Sequence, residues 1–349
     1  MTSKERVAAA FNKDPRLDRI PRWLGMSDEF NLKIQNHLVM DEEAVRRHVR
    51  DDFRVVRAVF TGSQEDMMPG ATWRSPFGVE RKGIGFGMPL SHPLQGISSI
   101  EEVEAHVWPD CDVVDTSGLR DNILKYEGEY AIMGGDWSPF WHDAIDLIGH
   151  EELYYLMFDY PEVAKLLFER ITDYYIESSR KSFEEAADLM DIFFIGNDLG
   201  SQSGPLMGIE QFSDFLLPSI KRMVDLGHEY GLKVMLHCCG GYRPLIPSLI
   251  EIGMDGLHAL QPDCHGMDPA GLKRDFGSHI VLNGAIDSHH ILISGETAEL
   301  VKSRSMDVLK IMGKGGSYIA GASHDTILEE TPVENVLAMF KAVDEYEYL

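Results

Sequence analysis

From about Tyr130 onward, short apolar runs alternate regularly with longer amphipathic stretches. The apolar runs predict strands at Ala131–Gly135, Asp191–Gly196, Leu232–Leu236, Gly256–Leu260, Ile280–Gly284 and Ser317–Gly321. The stretches between and after them predict helices at Pro161–Leu189, Gly208–Tyr230, Arg243–Ile252, Pro269–Asp275, Thr297–Met312 and from Pro332 to about Glu345. Strands that are apolar on both faces and alternate with helices are typical of a parallel sheet covered by helices.

This alternation predicts an α/β fold, a (β/α)8 TIM barrel, with an earlier strand near Phe53–Phe60 helping to complete the set. An open, doubly wound sheet is the alternative. The first 110 residues are irregular: they contain predicted helices at Ser3–Phe11 and Asp41–His48, and Met68–Pro93 is dense in glycine, proline and aromatic residues. We expect residues 1–349 to form one barrel domain, with residues 1–110 supplying N-terminal helices and covering loops.

Composition and charge exclude several classes of function. The net charge of -25 over 349 residues disfavours binding to a phosphate backbone, so no nucleic-acid partner is expected. The N-terminus lacks the apolar core of a signal peptide and no apolar run is long enough to span a bilayer, which predicts no membrane association. Four cysteines in a chain of this length do not form a disulfide framework, so a reducing cytoplasm is the expected location.

Polar residues follow the predicted strands, one set after each strand. In a parallel barrel these strand ends meet at one mouth, where barrel enzymes carry their chemistry. The alternative is that polar residues merely begin loops, as they often do. The candidates for binding a substrate are Asp136, Trp137, Trp141, Gln261 and Asp287.

His237 and Cys239 stand two residues apart where an apolar strand ends. Residues i and i+2 of a strand point to the same side, so an imidazole nitrogen and a sulfur can face one point. Those are ligand types that zinc prefers. His324, after the last strand, is the candidate third ligand, and Asp198 is a candidate general base, substrate anchor or partner of a ligand. Cys238 should point the other way, into the core.

Several short sequence motifs, distributed over nearly the whole chain, are typical of one protein superfamily. They are Ile20-Pro21, Asn197-Asp198-Leu199-Gly200, His237-Cys238-Cys239-Gly240-Gly241, Leu245-Ile246-Pro247, Gly253-Met254-Asp255, Gln261-Pro262, Asn283-Gly284-Ala285-Ile286-Asp287 and Thr331-Pro332-Val333-Glu334-Asn335-Val336. With these motifs the chain resembles the uroporphyrinogen decarboxylase superfamily, which includes the cobalamin-dependent methyltransferases. The resemblance implies a (β/α)8 barrel, in agreement with the alternation of strands and helices.

The resemblance also separates two branches of that superfamily. The decarboxylase branch has no metal and holds the carboxylates of a porphyrinogen with a pair of N-terminal arginines; here only Arg22 stands in that region. The methyltransferase branch has the His-x-Cys of His237 and Cys239, which implies bound zinc. It also implies a partner corrinoid protein whose cobalamin exchanges the methyl group. A metal-free decarboxylase is the alternative.

The chain departs from the methyltransferase branch at the third ligand, which is usually a second cysteine on the last strand. His324 occupies or neighbours that place, and histidine can replace a thiolate as a zinc ligand. One negative ligand fewer would leave the metal more electrophilic and would suit a neutral methyl donor such as a methyl ether. We therefore expect His237, His324 and Asp198 to serve catalysis on a small methylated substrate, with methoxyaromatic compounds as candidates. The sequence is compatible with a homodimer but does not predict the oligomeric state.

Overall fold

Seven parallel strands organise the fold. The structure is a computed structural model that describes residues 1–14, 16–61, 71–83, 87–126, 128–294 and 297–346. The strands are β1 (Phe53–Val55), β2 (Val59–Phe60), β3 (Thr72–Arg74), β4 (Glu80–Lys82), β5 (Met88–Pro89), β6 (Val114–Asp115), β7 (Ala131–Gly134), β8 (Ile192–Gly196), β9 (Gly200–Ser201), β10 (Gly204–Pro205), β11 (Lys233–His237), β12 (Gly256–Leu260), β13 (Val281–Ile286) and β14 (Tyr318–Ala322). The main sheet has the order β1-β7-β8-β11-β12-β13-β14, and every pairing in it is parallel.

The two edges of this sheet are bridged by residues 21–23. Ala320 of β14 donates its N–H to Pro21 O at 2.8 Å and accepts from Trp23 N at 2.9 Å, while Asp52, just before β1, donates to Arg22 O at 3.1 Å. The sheet therefore curls until its first and last strands share one neighbour. The α/β class is confirmed. In the described part of the chain the sheet has seven strands rather than the eight expected, because residues 21–23 make only an isolated bridge.

The predicted strands agree with the sheet to within two residues at each end, because each is apolar on both faces and wholly or almost wholly buried. In the predicted Phe53–Phe60 segment only β1 joins the sheet, while β2 pairs with β6. In the stretch Met68–Pro93, whose composition indicates either hairpins or a long covering loop, the described residues form antiparallel pairs of β3 with β4 and of β4 with β5. Residues 68–70 and 84–86 lie outside the described residues.

Helices cover the sheet and fill the N-terminal part of the chain. They are α1 (Ser3–Phe11), α2 (Asp28–Leu38), α3 (Glu42–His48), α4 (Ile100–Ala105), α5 (Leu119–Leu124), α6 (Phe140–Ile148), α7 (His150–Asp159), α8 (Pro161–Ala186), α9 (Ile209–Gln211), α10 (Leu217–Glu229), α11 (Ile246–Glu251), α12 (Pro269–Phe276), α13 (Ala298–Met312) and α14 (Val333–Glu345). All the predicted helices are present; α2 and α4–α7 were not predicted. In the described part of the chain, no helix combines the length and apolarity needed to cross a bilayer.

One cluster of apolar side chains fills the inner face of the curled sheet. It includes Phe53 of β1, Met133 of β7, Phe194 of β8 and Met235 of β11, with Trp23 packed among them. Burying each such side chain contributes about 1.5–3 kcal/mol. Because this layer is closed by apolar contacts, the side chains two residues further along the same strands lie above it, at the carboxyl ends.

Candidate metal centre

His237 is the last residue of β11 and faces inward, because Met235 two residues earlier packs into the inner cluster. Its neighbours in register are His258 on β12 and Gly196 on β8. A Cβ at Gly196 would collide with the indole of Trp137, so glycine here makes room for that ring. The rings of Trp137 and His237 have centroids 5.3 Å apart and are inclined by 32°.

Two side chains of different chemistry, Cys239 and Asp198, converge on one side of the His237 ring. Its Nε2 lies 3.4 Å from Cys239 Sγ and 3.4 Å from Asp198 Oδ1. One ligand atom from each of Asp198, His237 and Cys239 lies within 4.8 Å of the other two. The group offers one nitrogen, one sulfur and one oxygen, all of which zinc accepts as ligands.

The loop after β11 is held in place by the loops of the neighbouring strands. Asp198 Oδ1 accepts a hydrogen bond from Cys239 N at 2.8 Å, and Gln261 Oε1 accepts one from Gly240 N at 2.5 Å. Gly240 has a φ of +86°, and a Cβ there would collide with the backbone of Gly200. Glycine is thus required both for the left-handed conformation and for the close approach of the two loops.

A second group surrounds the other nitrogen of the same imidazole. Nδ1 of His237 lies 3.0 Å from Nδ1 of His258, and Asp325 Oδ1 lies 3.9 Å from both nitrogens. His258 is fully buried, and its Nε2 has no hydrogen-bond partner among the described residues. His237 therefore stands between two polar groups, with one ring nitrogen in each.

The charges in the centre are tightly coupled. Burial alone would lower the pKa of His237, but hydrogen bonds with Asp198 and Cys239 outweigh burial and raise the pKa to about 10. Burial would raise the pKa of Asp198, yet its hydrogen bond to His237 and the charge of that ring hold the pKa well below its ordinary value. Burial lowers the pKa of His258 strongly, with the charge of His237 adding to the effect, so His258 is neutral. Burial raises the pKa of the Cys239 thiol, and His237 partly offsets that.

A cavity of about 430 Å³ adjoins the centre. Trp23, Trp137 and Phe194 supply its aromatic surfaces, and Arg57 and Asp325 are among its charged residues. Because Trp137 and Asp325 also contact the centre, a molecule bound in this cavity would lie beside the ligand group.

Comparison with known proteins places the chain in a family. The family model described as uroporphyrinogen decarboxylase matches residues 117–346. The chain belongs to the uroporphyrinogen decarboxylase family. The resemblance read from the sequence motifs is thereby confirmed. No curated protein matches the sequence.

Solved structures support the fold of this family member. A methyltransferase from Methanosarcina mazei is similar with a TM-score of 0.67 and 18% sequence identity, over 99% of both chains. At that identity the likeness shows the fold alone. A D-psicose 3-epimerase from Clostridium cellulolyticum H10 is similar with a TM-score of 0.35 and 9% identity, over 65% of this chain and 91% of that one.

The residues predicted to bind substrate do not lie together in the structure. Trp137 lies at the centre, whereas Trp141 is fully buried and stacks on Phe168. The reason is that Trp141 belongs to α6, which turns it into the core rather than toward the cavity. Asp136 accepts from Ser178 Oγ at 2.6 Å and so ties its loop to α8.

Asp287 and Gln261 both accept hydrogen bonds from backbone N–H groups. Asp287 accepts from the backbone of His289 and His290 and caps the turn that follows β13. Gln261 holds Gly240, as described above, and so acts on the loop that carries Cys239. Cys238 is fully buried, as predicted.

His324 does not join the ligand group. Its Nδ1 lies 2.9 Å from Thr326 O, and the described residues that converge with His237 and Cys239 include Asp198 instead. The sequence reasoning did not pick out His258, Asp325 or Arg57. A histidine in the middle of the buried run Gly-Leu-His-Ala-Leu was a usable signal for His258, because a buried imidazole needs a partner.

Proposed function

We propose that this protein is a zinc-dependent methyltransferase that moves a methyl group from a small methylated substrate to a corrinoid protein. The observation that carries the proposal is the convergence of Asp198, His237 and Cys239. Their nitrogen, sulfur and oxygen suit zinc, and three protein ligands leave one position for a substrate, as in catalytic zinc sites. When bound there, zinc would act as a Lewis acid toward the heteroatom that carries the methyl group.

We infer Asp198 as the third ligand in place of His324. Asp198 Oδ1 is 3.4 Å from His237 Nε2, and the carboxylate is held by the N–H of Cys239, so it is positioned together with the other two ligands. His324 is absent from the described side chains whose ligand atoms lie within 4.8 Å of those of His237 and Cys239. Carboxylate oxygen retains the negative charge that a second thiolate would have supplied.

The remaining residues of the centre orient these ligands and shape the space for a substrate. His258 accepts a hydrogen bond from Nδ1 of His237 when Nε2 faces a metal, which fixes the ring. Trp137 provides a flat apolar surface beside the imidazole, and Trp23 and Phe194 extend it. Such surfaces suit the ring of a methoxyaromatic substrate.

The proposed methyl acceptor is cob(I)alamin carried by a partner corrinoid protein. We infer that residues 21–23 take the place of the eighth strand of a (β/α)8 barrel. The centre then lies at the mouth of the barrel, the face from which the partner would approach. The shared fold with the Methanosarcina methyltransferase supports this by analogy of fold only.

The metal-free decarboxylase is less well supported. Arg22, the arginine of the N-terminal region that could meet porphyrinogen carboxylates, is fully buried. It donates to Val49 O and to Asp344 Oδ1, at 3.0 and 2.6 Å. Its guanidinium is therefore engaged in holding the N-terminal segment to α14.

Metal analysis of adjacent cysteine variants tests the proposed centre. The purified protein should contain about one zinc per chain, as a structural or catalytic site would. Cys239→Ala should lose most of it, whereas Cys238→Ala, the matched control, should keep it because Cys238 is buried beside Leu199 N. Asp198→Asn should weaken zinc binding more than His324→Asn. Full zinc content in Cys239→Ala would overturn the proposal.

Methyl transfer tests the reaction itself. The zinc-loaded enzyme is incubated with free cob(I)alamin and a panel of methoxyaromatics, and formation of methylcobalamin is followed by absorbance. We expect transfer that depends on zinc and is lost in His237→Ala. Release of carbon dioxide from a carboxylated substrate without any corrinoid would favour the decarboxylase instead.

A further inference from the structure

Arg57 carries a charge that no described residue neutralises through a hydrogen bond. It follows β1 and its Nε donates to Gly135 O at 3.2 Å. Its Nη2 is buried and has no hydrogen-bond partner among the described residues. Leaving a desolvated guanidinium unpaired is costly, so such a group usually marks a place where a partner binds.

Two carboxylates lie near Arg57, and neither forms a hydrogen bond with it among the described residues. Asp136 accepts from Ser138 N at 3.3 Å and from Ser178 Oγ at 2.6 Å. Asp325 lies 3.9 Å from Nδ1 of His237 and of His258. Both carboxylates attract the charge of Arg57, while burial, the larger effect, lowers its pKa. A guanidinium nevertheless stays protonated in proteins, so its hydrogen-bonding partner must come from outside.

The other arginine that lines the cavity, Arg46, differs from Arg57 because its guanidinium is hydrogen-bonded within the protein. Arg46 also lines it, but its Nη1 donates to Leu24 O at 3.0 Å and to Asp51 Oδ2 at 2.7 Å, and its Nε donates to Glu42. Arg46 thus serves the protein's own structure. Arg57 is the cavity arginine that remains available to a ligand among the described residues.

The cavity around Arg57 fits a small aromatic molecule. Its volume of about 430 Å³ lies in the lower part of the range for ligand sites. Trp23, Trp137 and Phe194 line it, and the Arg57 guanidinium carbon is 5.4 Å from the centroid of the Trp137 ring. The cavity therefore offers a cation next to Trp137, the residue whose ring also lies 5.3 Å from that of His237 in the metal centre.

We propose that Arg57 binds the carboxylate of an aromatic methyl donor, so that the donor's methylated heteroatom is directed toward Asp198, His237 and Cys239. Arginine and carboxylate form paired, charge-assisted hydrogen bonds that fix orientation as well as affinity. The identity of the ligand as a methyl donor rests on the proposed function; the carboxylate site at Arg57 does not. The inference makes Arg57 the residue that selects anionic over neutral methoxyaromatics.

Isothermal titration of the zinc-loaded protein tests the inference without any corrinoid. The probes are 3-methoxybenzoate and its neutral analogue 3-methoxytoluene. The benzoate should bind about 10- to 100-fold more tightly, because a hydrogen bond to a charged group is lost in the neutral compound. Arg57→Gln should remove that difference, Arg57→Lys should restore part of it, and neither should alter binding of 3-methoxytoluene.

A surface arginine provides the control, and circular dichroism checks that every variant is folded. Arg50→Gln removes an exposed guanidinium that pairs with Asp344 and should leave benzoate binding unchanged. Equal binding of the two probes, or benzoate binding that Arg57→Gln does not weaken, would overturn the inference. Arg57-dependent binding without methyl transfer would support the carboxylate site and count against the proposed function. Transfer from the neutral compound alone would overturn the inference and leave that function standing.

Discussion

Nδ1 of His237 and Nδ1 of His258 lie 3.0 Å apart on paired positions of β11 and β12. At that distance the two nitrogens form a hydrogen bond, in which one nitrogen carries the proton and the other accepts it. If Nε2 of His237 binds a metal, its Nδ1 must carry the proton and donate it to His258. His258 then accepts, and its own proton sits on Nε2, which has no partner among the described residues. The pair thus presets the form of His237 that a metal requires.

Removing the acceptor on His258 should weaken zinc binding without touching a ligand. His258→Leu should raise the dissociation constant for zinc by about 10- to 100-fold, the usual effect of losing such a supporting partner. His258→Asn, whose amide oxygen can accept from Nδ1 of His237, should stay much nearer the parent protein. Competition with a chromophoric chelator measures both constants.

The control is a histidine far from the centre. His228→Asn alters a surface ring that contacts Asp255 and should leave zinc affinity unchanged. Urea unfolding of each variant shows whether the core survives the change. Identical zinc affinity in the Leu and Asn variants would contradict the assigned role.

Much of the sheet could be predicted because its strands are buried on both faces, a property that a sequence displays directly. The orientation of the aromatic residues after β7 could not be predicted in the same way. The sequence predicts that both Trp137 and Trp141 contact substrate, yet Trp141 belongs to α6, whose pattern of buried residues sends it into the core. Local composition shows that aromatic residues are near one another, but only the helix geometry decides which of them face a cavity.

The closeness of His237 and Cys239 was predictable because the two residues stand two positions apart where β11 ends. The third member of the converging group, Asp198, was harder to predict because it comes from a loop. Asp198 and His324 both follow strands, and the sequence alone does not show which loop folds over β11. The structure gives the reason for Asp198: its carboxylate accepts from the N–H of Cys239, a contact between loops that no spacing reveals.

Replacing Gly240 should disturb both stability and metal binding. Gly240→Ala forces a side chain into a φ of +86° and against Gly200, between the segments that carry Asp198 and Cys239. Gly231→Ala is the matched control, with a φ of +76° and nothing within 4 Å. The control should cost about 1–2 kcal/mol for the left-handed backbone alone. Gly240→Ala should cost more and also lose zinc, as shown by urea unfolding and metal analysis; equal effects would contradict the close-packing argument.

The buried Asp143 should make stability fall as the pH rises. Burial raises its pKa from 3.8 to about 7, although Tyr175 Oη donates to it at 2.5 Å and Arg81 lies nearby. The folded state therefore holds a proton between about pH 4 and pH 7 that the unfolded state has released. The contribution to stability is present at low pH and is lost as the pH approaches the folded pKa.

Asp143→Asn should remove that dependence. The free energy of unfolding of the variant minus that of the parent protein should increase as the pH rises from 4 to 7, by at most about 1.4 kcal/mol per pH unit. Urea titrations at several pH values, with zinc present throughout, measure the difference. Asp159→Asn, at an exposed position, is the control and should run parallel to the parent. Parallel curves for Asp143→Asn would show that Asp143 is ionised in the folded protein.

Zinc should protect one cysteine from alkylation. Cys239 is half-buried, whereas Cys111, Cys238 and Cys264 are buried, so iodoacetamide should modify Cys239 first in the metal-free protein. Because burial raises its pKa and only a thiolate reacts, the rate should rise steeply above pH 8. With zinc bound, the sulfur's electrons are engaged and the rate should fall sharply, while Cys238 stays unmodified throughout. Peptide mass mapping separates the adjacent residues after partial fragmentation. Equal alkylation of Cys239 with and without zinc would mean that the metal, if bound at all, is held without this sulfur.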